Sequence, residues 1–122
     1  MLSKANDLSN VQVIDFGLSK DLLNPNTTNS ASGTPYYIAP ENIKSLEIIR
    51  GDVWSLGIVM YILLSGSHSA KLLENIIKDE VSFNHPCFIH VSDEAKDLMT
   101  KMLDKNSRRR IRPKEILRHP WF

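Results

Sequence analysis

The chain has 122 residues, 42% hydrophobic and 24% charged, the balance of one folded domain or part of one rather than of a disordered or fibrous chain. Fifteen Lys and Arg against fourteen Asp and Glu leave a formal charge of +1, so no chain-wide field predicts a nucleic-acid partner or docking on an anionic membrane. A single cysteine, Cys87, excludes an internal disulfide framework and suits a reducing compartment, which makes the cytoplasm, or the nucleus, the expected location.

Residues 1–10 hold one basic side chain and no extended apolar run, so no secretory signal is expected there. Val11-Gln12-Val13-Ile14 sets a polar residue into a β-branched run and stops at Asp15-Phe16-Gly17, which predicts a short strand ending in a turn. Residues 20–32 are rich in Asn, Thr and Ser without apolar period and read as a surface loop. The run VWSLGIVMYILL at 53–64 is apolar on nearly every face and predicts a buried central helix. Within it, Ile58 to Leu64 is the longest apolar-rich stretch and is too short to span a bilayer.

Residues 69–78 and 92–103 predict amphipathic helices. In the second, Ala95, Leu98, Met99, Met102 and Leu103 follow helical spacing behind a Ser92 N-cap, with Asp93 and Glu94 favourable in the first turn. Pro113 suits the first turn of a last helix holding Ile116 and Leu117, which Pro120 ends. The four histidines have no zinc-site spacing.

Asp15-Phe16-Gly17 alone is a tripeptide that chance supplies often. Twenty-four residues past Asp15, however, comes Ala39-Pro40-Glu41, preceded by Gly33-Thr34-Pro35-Tyr36-Tyr37 and followed by Asp52-Val53-Trp54-Ser55-Leu56-Gly57. In that order and spacing these segments resemble the protein kinase family, whose activation segment runs from Asp-Phe-Gly to Ala-Pro-Glu. Residues 81–86, VSFNHP, with 91–98, VSDEAKDL, are similar to the calcium/calmodulin-dependent group, most of all its calcium-dependent protein kinases.

The resemblance implies a mainly α fold: the helical C-lobe of a kinase, with a short β-strand before the Asp-Phe-Gly turn, occupying residues 1–122 as a partial domain. Asp15 would chelate the magnesium that bridges the ATP phosphates, Phe16 would pack beneath the nucleotide, and Gly17 would give the turn its freedom. Gly33, Thr34, Pro35, Tyr36 and Tyr37 resemble the substrate-seating segment in its Ser/Thr form, implying serine or threonine acceptors on a protein substrate. Glu41 and Arg110 would pair to fasten the activation segment to the lobe. Asp52 would accept hydrogen bonds from the catalytic loop, or act as a plain helix cap. Thr27, Thr28, Ser30 and Ser32 are candidate phosphorylation sites, although such residues populate hydrophilic loops anyway. The resemblance makes His119 and Trp121 packing residues.

The Gly-rich loop, the strand lysine with its helix glutamate and the His-Arg-Asp loop are absent from these residues. The expectation is therefore a piece that lacks its N-lobe and catalytic base, does not bind ATP tightly and transfers no phosphate by itself. A second departure follows Ser65-Gly66, where Ser67-His68-Ser69 leads directly into Ala70, about six residues short of the family's turn. No Asp-x-Asp-x-Asp-Gly calcium loop occurs. The alternatives are a non-catalytic, kinase-derived module that holds a protein partner through residues 69–103, and assembly with a separate N-lobe.

Overall fold

The computed structural model describes Ser9, 11–17, Ser19, 35–41, 51–67 and 69–122. It is mainly helical. Helix α1 (Gly51–Ser65) is followed by α2 (Ala70–Lys78), α3 (Asp93–Met102) and a single turn, α4 (Pro113–Ile116). Two 3-10 turns, Pro35–Tyr37 and Pro86–Phe88, brace this frame. The short strand expected before Asp15 appears only as an isolated bridge at Val11, and no strand forms among the described residues.

α1 is the centre. Trp54 and Ile58 are fully buried and Tyr61 nearly so. This face packs against α3 and both 3-10 turns. The approach to α3 is close enough to need glycine: a Cβ on Gly57 would stand 2.9 Å from Leu103 Cδ2 and 3.1 Å from Met102 Cβ. Opposite, Leu56, Val59 and Leu63 are exposed. The even burial expected of this helix is thus one-sided, because its packing partners α3 and the two turns lie on one flank only.

α3 buries the stripe its periodicity dictates, Ala95, Leu98, Met99 and Met102. Ser92 caps it, its Oγ accepting from the Ala95 amide at 3.2 Å, which satisfies one of the orphan donors of the first turn. α2 buries Leu73 and Ile76, one turn apart. Between α2 and α3, Phe88 packs its ring on Tyr61 at 4.7 Å and on Phe83 at 5.2 Å between centroids, the tilted and edge-on geometries that aromatic quadrupoles favour. Burial, and then the nearby Cys87, pushes the Tyr61 phenol up. In the last helix Ile116 is buried while Leu117 is exposed, since one turn can point only one of two neighbours inward.

Candidate functional site

The best-defined polar site joins Glu41 to Arg110 across 69 positions of sequence. Arg110 donates from Nη1 to Glu41 Oε1 at 2.5 Å and from Nη2 to Oε2 at 2.9 Å, the two-pronged geometry that a planar guanidinium offers a carboxylate. Both side chains are removed from water, Arg110 completely and Glu41 to 9% exposure. Arg110 Nε donates to the Asp104 carbonyl at 3.0 Å, and its guanidinium carbon lies 5.2 Å from the Trp54 ring centroid, close enough for a cation–π attraction.

Local sequence shapes the arginine's approach. Asp104 Oδ1 accepts from the Asn106 amide at 2.8 Å, and Asn106 Oδ1 from the Arg108 amide at 3.0 Å, side-chain-to-backbone bonds that curl the loop. Arg110 is thereby turned inward while Arg108 and Arg109 stay exposed, Arg109 against Asp104 at 3.2 Å. Beneath the arginine, Trp54 Nε1 is buried and has no hydrogen-bond partner among the described residues.

A second tie holds the segment that carries Glu41. Ser55 Oγ lies 2.7 Å from the Tyr37 carbonyl and 3.1 Å from the Gly51 carbonyl; its single proton serves one at a time. Tyr36 and Tyr37 are half-buried against the core and Ala39 is fully buried. Ser55 was legible only as a letter of the Asp52–Gly57 segment; its role depends on Tyr37 lying across the start of α1. Asp52 is exposed in the first turn of α1, where a carboxylate opposes the helix dipole favourably.

At Asp15-Phe16-Gly17 the conformational work falls on a different residue from the one expected. Asp15 has φ 63° and Gly17 does not enter the positive-φ region. Aspartate tolerates that left-handed region better than most residues, and here its Oδ1 accepts from the Gly17 amide at 3.3 Å. Ser19 closes the turn, its amide and its hydroxyl both donating to the Phe16 carbonyl, at 2.9 and 2.6 Å. Phe16 is 68% exposed.

The Asp15 carboxylate is exposed and offers oxygen to a hard cation, but no group of three or more His, Cys, Asp or Glu that could hold a metal is gathered among the described residues. Gly33, Thr34 and the candidate phosphorylation sites Thr27, Thr28, Ser30 and Ser32 lie outside the described residues.

His119 is buried at 7% exposure and fastens the end of the chain to α3. The Trp121 amide donates to His119 Nδ1 at 3.3 Å, so Nε2 carries the ring proton and donates to Asp97 Oδ2 at 2.9 Å. Lys101 Nζ reaches the same oxygen at 2.6 Å; its 3.4 Å approach to Nε2 joins two donors and is no bond. Lys101 first, then His119, holds the Asp97 carboxyl below the usual carboxylate range. Trp121 is 39% exposed, stacked edge-on with Phe122 at 4.9 Å.

The arrangement is a helical lobe that grips a preceding peptide segment by a buried ion pair and a serine hydroxyl. Residues 1–122 match the protein kinase domain model, and the chain belongs to that family. It is 38% identical over 120 residues to calcium-dependent protein kinase 5 of Plasmodium falciparum, covering 93% of this chain and 21% of that protein. It is 37% identical over 118 residues to calcium-dependent protein kinase SK5 of Glycine max (92% and 23%) and 36% identical over 128 residues to calcium-dependent protein kinase 7 of rice (100% and 23%). The chain thus spans between a fifth and a quarter of the length of these relatives.

Proposed function

We propose that this chain is the helical lobe of a calcium-dependent-type Ser/Thr protein kinase, which transfers the γ-phosphate of ATP to hydroxyls of a protein substrate. The observation that carries the reading is the Glu41–Arg110 pair. It fastens the C-terminal end of an Asp-Phe-Gly to Ala-Pro-Glu segment to the lobe that would present it to substrate, which is what transfer by positioning requires.

Asp15 would supply one oxygen to magnesium, with ATP phosphates and water supplying others, as suits an ion bound by few protein ligands. When bound, the metal offsets the negative charge of the phosphates. Tyr36 and Tyr37 belong to the substrate-seating segment, and Ser55 holds the Tyr37 carbonyl to α1. Among the described residues no helix is long and apolar enough to cross a membrane; the cytoplasm or nucleus is the proposed setting. The exposed stripe Leu56, Val59 and Leu63 on α1 is a surface for the N-lobe side of the domain to cover. Calcium control, if this protein shares it, resides outside these residues.

The test is phosphate transfer by the gene's full-length product from magnesium-ATP to a peptide library. Labelling of Ser and Thr but not Tyr peptides, abolished by Asp15→Ala, is the expected result, with none from the 122-residue chain alone. A wild-type product that transfers nothing yet retains a protein partner without ATP would replace this reading with the binding module.

A further inference from the structure

The near-neutral charge of the chain conceals a division. Residues 104–118 hold seven of the fifteen Lys and Arg but only two of the fourteen Asp and Glu, so the remainder carries eight cations against twelve anions. Arg110 is buried on Glu41 and Arg109 is paired with Asp104.

α4 and the turn that follows it carry two cations beside an apolar side chain. Lys114, Leu117 and Arg118 are all exposed, Leu117 at 75%. Leu117 keeps helical dihedrals and the Arg118 amide donates to the Glu115 carbonyl at 3.1 Å, so the turn continues through both. At about 100° per residue the three side chains fall within an arc of about 100°, roughly opposite the buried Ile116. Neither Lys114 nor Arg118 forms an ion pair among the described residues.

We propose that this face is a docking surface for an acidic protein segment with an apolar residue set among its carboxylates. Lys114 and Arg118 meet the carboxylates and Leu117 meets the apolar residue. Charge complementarity selects the sign of the partner, and the leucine beside the cations selects a peptide over a polyphosphate backbone, which would leave it uncovered. One short turn lacks the broad apolar face with which a helix lies in a membrane interface.

The test titrates the protein into a fluorescein-labelled peptide of about ten residues, Glu and Asp with two Leu, followed by anisotropy. Saturable binding is expected, weakened roughly tenfold by Lys114→Glu with Arg118→Glu, roughly threefold by Leu117→Ala, and by raising salt. Lys71→Glu with Lys78→Glu on α2 changes the net charge equally and should leave binding intact; circular dichroism checks that each variant is folded. Absence of binding, equal losses from the two charge reversals, or stronger binding of phosphatidylserine vesicles or single-stranded RNA would overturn the proposal.

Discussion

Replacing Glu41 by alanine removes both carboxylate oxygens from a guanidinium that has no access to water. Arg110 then keeps its bond to the Asp104 carbonyl and its place over Trp54, which leaves Nη1 and Nη2 without their charged partner. Leaving one member of a buried pair uncompensated costs about 3–5 kcal/mol. That is a large part of the roughly 5–15 kcal/mol that holds a domain together. With a urea dependence of about 2 kcal/mol per molar, the unfolding midpoint should fall by about 1.5–2.5 M. The assay is urea unfolding followed by Trp54 and Trp121 fluorescence. Arg110→Lys should also destabilise, since an ammonium cannot grip both oxygens and the Asp104 carbonyl in the same plane. The double variant Glu41→Ala with Arg110→Met should recover part of the loss, because no buried charge remains. A midpoint shift for Glu41→Ala below about 0.3 M would refute the reasoning, for it would mean that water reaches the guanidinium or that the pair does not form.

Gly57→Ala should destabilise by about 1–3 kcal/mol despite alanine's better helix propensity, because the new methyl meets the Met102 Cβ, which cannot swing away; a raised melting temperature would contradict the close α1–α3 approach. Asp97→Asn tests the His119 tie through pH. The folded carboxyl titrates below its ordinary value, so its contribution is present above the unfolded value of about 3.9 and is lost as pH falls through the lower folded one. With the Asp97 side chain 52% exposed, the difference between wild type and Asp97→Asn should be under about 1 kcal/mol near neutrality and should close below about pH 4. A difference that stays constant down to about pH 2 would show that the charge is not what holds the tie.

By itself the sequence determined whatever depends on neighbours in the chain. The buried stripe and Ser92 cap of α3 follow from helical period and from a hydroxyl three residues before its target amide; the last helix follows from Pro113 and Pro120. The motif order was legible because family segments recur at fixed spacing, and the resemblance it carries implied that Glu41 and Arg110 are partners. Tertiary structure decided what depends on distant neighbours. Composition made α1 uniformly apolar, but only packing on α3 and the two turns decided that Trp54, Ile58 and Tyr61 face inward and Leu56, Val59 and Leu63 outward. The Ser55 hydroxyl on the Tyr37 carbonyl spans 18 positions, and the imidazole of His119 on the Asp97 carboxylate spans 22. Their hydrogen bonds leave no local period or cap signature, because each depends on where a different element comes to rest.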